Sequence, residues 1–349
     1  GRGLGPHGVR DESLIDTYLV SLEKLYQTMI SPPWNRDPPV VGPGGKTHVY
    51  VYNSGFPFMT CDLAKVPYIV LMSRNSEPTV DAELKRAASE AVHEATHLFN
   101  FTKRPLYDKF NATRWEWFDE GLAVLMEMLV TEDNQDHHRL LIDWIDSPEM
   151  SLDHPAGIYH VGMFIRYVGE YRGFEFVNDI WLESYPEEEP LQTLLRLTPE
   201  DEESFFSDLG VAGLFAGYSF DPYFLKEHAY ELFMRFGERA VSESLSLPDA
   251  LGAKITDHLD HLSCRYYRVF LEEGVSGFTI TVKVGDGAPL KARAAIVTTD
   301  KNKQLLEPLS VQSDGSLSLT LSELDAAEID HIVLVISNCG TNTPWNGTA

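Results

Sequence analysis

Near residue 263 the hydrophobic pattern of this chain changes its period, from a helical repeat to an alternation of two. Beyond that point CRYYRVFL, GFTITVKV, ARAAIVTTD, LSLTLSEL and DHIVLVIS are short β-type runs separated by Gly, Asp and Ser. Such a sequence reads as α+β: a mainly helical domain with a small N-terminal sheet over residues 1–262, then a β-sandwich over 263–349. A chain of 349 residues has room for both, because single cores stop growing at roughly 250–300 residues.

Within the helical part, Asp11 to Ile30 carries Leu14, Ile15, Tyr18, Leu19, Leu22, Leu25, Tyr26 and Met29 at helical spacing. The Pro- and Gly-rich stretch SPPWNRDPPVVGPGGK ends that helix, and THVYVYN and VPYIVLMS follow as strands. From Val80 to Phe99 the segment contains DAELKRAASEAVHEATHLF, a run of helix formers with Asp81 and Glu83 in an acidic first turn. Further helices are expected at Glu116–Val130, Ile158–Tyr171 and Pro222–Arg239.

Composition narrows the functional classes. A formal net charge of -25 excludes nucleic acid and anionic lipid as natural partners, since those need clustered Lys and Arg. No segment approaches the roughly 18 apolar residues of a membrane helix, so no membrane span is expected. Cys61, Cys264 and Cys339 lack the spacing of a thiolate metal site, and they allow one disulfide at most, for which Cys264 with Cys339 is one pairing. Sequons at Asn100, Asn111 and Asn346 count only in a secretory chain, and a secreted or extracytoplasmic location is the expectation. No signal peptide is legible, which decides nothing, and the oligomeric state is left open.

His93 and His97 lie four residues apart inside the predicted Val80–Phe99 helix, so both imidazoles project from one face, one turn apart. That arrangement can hold a metal ion. Glu94 lies about 100° further round the helix, where its carboxylate can reach a water on the metal without ligating it. An H-E-x-x-H string also arises by chance on a helix that merely exposes two histidines, so it needs corroboration. Glu120, 23 residues after His97 in WFDEGLAVLME, supplies that as a candidate third ligand. Two imidazoles and a carboxylate leave a fourth position open, as catalytic zinc requires.

H-E-x-x-H followed by W-x-x-E-G-x-A resembles the gluzincin metallopeptidases, which include thermolysin-like enzymes and aminopeptidase N relatives. His93, Glu94, His97, Trp117, Glu120, Gly121 and Ala123 carry the resemblance, over roughly Val66 to Gly173. It implies a zincin-like catalytic domain, a bound Zn2+ held by His93, His97 and Glu120, Glu94 as general base, and a peptide or protein substrate that can be glycosylated. In GIYHVGMFIRYVGEYRG, Tyr159 falls in a Y-x-x-G pattern like that of the aminopeptidase branch, which implies an oxyanion donor. His160 is the alternative donor, and simple packing of a helix face is the alternative role for Tyr159. The strand before the zinc helix lacks the G-x-M-E-N run that holds a free amine in aminopeptidases, so an endopeptidase is expected, with a peptide pairing on an edge strand at VPYIVLMS.

Glu127 lies seven residues beyond Glu120 on nearly the same helical face and, with Asp119, is a candidate to orient a ligand histidine. The rival readings are a peptide- or glycan-binding protein on the same scaffold and a structural zinc site. The C-terminal β-region has no catalytic signature and reads as accessory, while His137, His138, His258 and His261 read as ordinary loop or helix histidines.

Overall fold

The computed structural model of the chain describes residues 12–39, 45–52, 56–61, 66–73, 79–103, 112–131, 147, 150–152, 154, 159, 161–185, 188–198, 205–208, 241–247, 249, 252, 254–256, 259–283, 289–300, 303–305 and 308–340. It is an α+β protein that divides into two compact units, residues 1–141 with 158–197 and residues 142–157 with 198–349. The boundary expected at 262/263 falls inside the second unit. The expected helix at Pro222–Arg239 lies outside the described residues.

In the first unit, helix α1 (Glu12–Ile30) buries Leu14, Tyr18, Leu25 and Met29 on one stripe, and Leu19 on its flank is exposed. Strands β1 (His48–Tyr52), β2 (Phe58–Cys61) and β3 (Pro67–Met72) form a sheet in the order β1-β3-β2, parallel between β1 and β3 and antiparallel between β3 and β2. This corrects the expectation that VPYIVLMS is an edge. β3 is the central strand, which is why Ile69, Val70 and Leu71 are all buried, and β2 takes the edge.

Helix α2 (Val80–Lys103) begins where Thr79 Oγ1 accepts the Ala82 N–H at 3.1 Å, satisfying one of the orphan donors of the first turn. Its Ala87, Ala91, Ala95 and Leu98 are buried, and the small residues admit close neighbours. Tyr18 of α1 donates its hydroxyl to the Met72 carbonyl of β3 at 2.6 Å.

Helix α3 (Ala112–Val130) starts four residues before the expected Glu116 and is apolar nearly all round: Trp115, Phe118, Leu122, Val124, Leu125 and Met126 are buried. A helix of that kind belongs in the middle of a core. Helices α4 (Val161–Arg172), α5 (Phe174–Leu182) and α6 (Pro190–Leu197) follow, of which α5 and α6 carry no sequence signal singled out above. Trp115 Nε1 donates to the Glu188 carbonyl at 2.9 Å, tying α3 to the entry of α6.

The second unit contains eight described strands: β4 (Val241–Leu247), β5 (Ser263–Leu271), β6 (Gly277–Val282), β7 (Leu290–Thr298), β8 (Lys303–Leu305), β9 (Ser310–Val311), β10 (Leu317–Ser322) and β11 (Ile329–Asn338). They make a five-stranded sheet, β4-β5-β11-β7-β8, and a three-stranded one, β6-β10-β9. One hydrophobic cluster draws on both, with Tyr267, Val269, Ile332, Leu334 and Ile336 from the first and Leu317 and Leu321 from the second. Alternate residues of the larger sheet, Tyr266, Val297, Val333 and Val335, form a second cluster on its other face.

Cys264 and Cys339 are buried thiols that are not joined in a disulfide. The register explains it: Cys264 lies opposite Ser337, so Cys339 is past the pairing position. Cys264 Sγ lies 3.4 Å from the Tyr266 hydroxyl.

Candidate metal centre

Helices α2 and α3 pack against each other and bring three side chains into one cluster. One ligand atom each from His93, His97 and Glu120 can be chosen so that all lie within 4.8 Å of one another. His93 Nε2 is 3.0 Å from Glu120 Oε2, and His97 Nε2 is 3.7 Å from Glu120 Oε1. The two imidazole rings meet edge to face, with centroids 4.9 Å apart. The helical i, i+4 spacing sets their separation, and the α2–α3 packing brings in the carboxylate.

The opposite nitrogens of both rings are committed elsewhere. His93 Nδ1 lies 2.6 Å from Glu127 Oε1, and His97 Nδ1 lies 3.0 Å from Asp119 Oδ2. A carboxylate on Nδ1 selects the tautomer that protonates that nitrogen, leaving the Nε2 lone pair for a metal. Both carboxylates are themselves held. Ser89 Oγ donates to Glu127 Oε2, and Asn100 Nδ2 donates to Asp119 Oδ1 at 2.6 Å.

Electrostatics accord with that geometry. Burial alone would lower His93, but hydrogen bonds with Glu120 and Glu127 outweigh it and push its pKa up to about 9. His97 is likewise raised well above its ordinary value, against burial, by the charge and hydrogen bond of Asp119 and by Glu120. Burial pushes Glu120 up, yet the two imidazoles hold it well below the usual carboxylate range. A divalent ion fits this donor set, since it would answer the negative charge of Glu120 between the two rings.

Glu94 is buried beside the histidines and takes a hydrogen bond from the Met59 backbone on β2. Burial raises its pKa, opposed by His93 and His97. In the order β1-β3-β2, β2 is an edge strand.

Tyr159 lies in a turn before α4 rather than within the helix expected at Ile158–Tyr171. It is 48% exposed, whereas Phe164 and Tyr167 are fully buried, so packing of a helix face describes those two and not Tyr159. Its ring centroid is 6.0 Å from that of His93. Burial, then Glu120 and Glu94, raise the pKa of its hydroxyl, which keeps the group a proton donor at neutral pH. His160 lies outside the described residues, as do His137, His138 and His258. His261 Nε2 lies 3.0 Å from Ser151 Oγ.

Several participants were not singled out in the sequence. Ser89 lies four residues before His93, and Asn100 three after His97, so helical spacing placed them on the histidine face. The Met59 backbone and Glu116, which burial and the neighbouring Glu120 and Asp119 raise, carried no such signal. Asn100 is wholly buried, so its sequon is closed to glycosylation in the folded protein.

A family model described as a family of unknown function, DUF6055, matches residues 79–269, more than half of the chain, and the protein belongs to that family. The match takes in α2, α3 and all the residues of the cluster except Met59. Comparison with curated proteins and with solved structures found no match to either.

Proposed function

We propose that this protein is a zinc-dependent endopeptidase with a gluzincin-like catalytic unit. The observation that carries the reading is the convergence of both Nε2 atoms on Glu120 while both Nδ1 atoms are tied to carboxylates. A three-residue set with no fourth protein ligand among the described residues suits a catalytic rather than a closed structural site.

A zinc ion bound there supplies Lewis-acid polarisation of the scissile carbonyl and a water acidified toward neutrality. Glu94 takes the proton of the attacking water and passes it to the leaving amide nitrogen as the C–N bond breaks. Burial favours protonation of Glu94 and the imidazoles oppose it, which suits a group that must accept a proton and then give it up. Tyr159 donates its hydroxyl hydrogen bond to the oxyanion. The edge of β2 offers backbone groups on which an extended peptide can pair, which favours an internal segment of a polypeptide as substrate. We read the second unit as an accessory β-sandwich, supported by the core that its two sheets share.

Zinc analysis of the purified chain together with turnover of a mixed peptide library tests the reading. Wild type is expected to hold about one zinc and cleave, while Glu94→Gln keeps the metal and loses most turnover. Zinc with peptide binding and no cleavage in wild type would instead establish the binding-protein reading. Full activity in Glu94→Gln sinks the mechanism.

A further inference from the structure

One face of the N-terminal sheet carries aromatic rings where a solvent-facing sheet ordinarily carries charged and polar side chains. The pairing register puts His48, Tyr50 and Tyr52 of β1, Tyr68 and Val70 of β3 and Phe58 of β2 on that side. Ile69 and Leu71 alternate to the other side and are wholly buried. Val70 is buried between its cross-strand partners Tyr50 and Phe58, but Tyr50 is 50% exposed and Tyr52 43%.

These residues line a concavity of about 400 Å³, a size within the roughly 300–1,000 Å³ of small-molecule sites. Tyr50 and Tyr68 meet edge to face, with centroids 5.3 Å apart and planes at 86°, so the two rings do not cover one another. The same residues bring polar tips. Each tyrosine hydroxyl both donates and accepts, as does a neutral imidazole, and the Tyr50 hydroxyl lies 3.5 Å from His48 Nδ1. Among the described residues no Asp, Glu, Lys or Arg lines the concavity. Strand propensity accounts for a tyrosine in a strand, but not for a row of them on one uncharged, open face.

We propose that this face binds a neutral oligosaccharide built of pyranose rings with equatorial hydroxyls. Such a ring presents a flat C–H face, which stacks on the electron-rich face of an aromatic ring. Its hydroxyls then pair with uncharged groups that donate and accept. His48 to Tyr52 spans about 13 Å along β1, longer than one sugar ring, so a short chain is the ligand. An acidic sugar would lose its hydration against a face that offers no cation. A Pro-rich peptide also uses aromatic grooves, but proline brings a carbonyl acceptor and no donor, which leaves half of this polar set unused. The inference stands without the zinc reading.

Isothermal titration calorimetry of the full chain with cellotetraose and chitotetraose tests it, with trigalacturonate as the charged sugar and decaproline as the rival ligand. Wild type is expected to bind at least one neutral sugar with a Kd on the order of 1 mM or tighter. Tyr50→Ala and Tyr52→Ala each weaken binding about three- to tenfold, the loss of one stacked ring, and Tyr50→Phe weakens it less. A metal chelator leaves the affinity unchanged. Melting temperatures identify the variants that fold, and the double variant of Tyr50→Phe with Tyr52→Phe reads the hydroxyls should an alanine variant not fold.

Failure of wild type to bind either neutral sugar at millimolar concentration overturns the proposal. So does undiminished affinity in folded Tyr50→Ala and Tyr52→Ala, or tighter binding of trigalacturonate or decaproline. Sugar binding that a chelator abolishes belongs to the candidate metal centre and overturns it too. A chain that binds sugar at this face but holds no zinc supports the inference and removes the zinc reading.

Discussion

Gly162 packs so closely on Gly121 that a Cβ added to Gly162 would lie 3.2 Å from the Gly121 carbonyl oxygen and 2.7 Å from Val124 Cβ. Gly121 follows the proposed ligand Glu120, and the Gly162 N–H donates to the Tyr159 carbonyl at 3.2 Å. The contact therefore sets how near the Tyr159 turn comes to the candidate metal centre, and it gives the glycines of E-G-x-A and Y-x-x-G one physical reason.

Gly162→Ala should destabilise the protein. The new methyl meets a buried β-branched side chain and backbone, an overpacking that costs about 1–3 kcal/mol, against about 1 kcal/mol gained in helix propensity. A lower urea midpoint together with reduced turnover is expected, whereas unchanged turnover would show that the Tyr159 turn does not depend on this contact.

Glu127→Gln is expected to keep the fold and to lower zinc affinity by about ten- to hundredfold, because an amide no longer offers the negative charge that favours the Nδ1-protonated tautomer of His93. Titration with a competing chelator measures it. An affinity equal to wild type would reduce Glu127 to a packing partner of Ser89.

Tyr159→Phe should leave zinc content unchanged and lower kcat by about 10²-fold, the usual cost of one oxyanion donor. Single-turnover kinetics on a cleaved library peptide read the effect. Undiminished turnover transfers the role to another group.

A pH dependence of stability follows from Glu188, which accepts Arg196 Nε at 2.9 Å on one oxygen and Arg196 Nη2 at 2.9 Å on the other. The hydrogen bonds from Arg196, and those from Tyr185 and Thr193, hold its pKa down to about 2. A folded-state pKa below the unfolded value of about 4.5 gives stability that is full above about pH 4.5 and lost as pH falls toward 2. The gap in urea midpoint between wild type and Glu188→Gln should therefore be widest near pH 6 and close by pH 2. A gap that does not narrow would show that the two oxygens act through packing alone.

Local chemistry was legible where spacing within one element decides it. The α2 helix, both histidines on one face, Glu94 beside them, and five of the C-terminal strands could all be read from the order of residues, because helical and strand periods fix which side chains share a face. Strands β2 and β4 escaped notice, since short runs such as FMTC and VSESLSL carry too few alternating apolar residues to stand out.

The sequence by itself determined the candidate ligands, the α+β class and the change of period near residue 263. Tertiary structure alone decided that Glu127 and Asp119 meet the two Nδ1 atoms, that β3 rather than β2 is central, and that Arg36 is buried. The reason is that contacts between elements depend on how helices and strands pack, which the period within any one element does not encode.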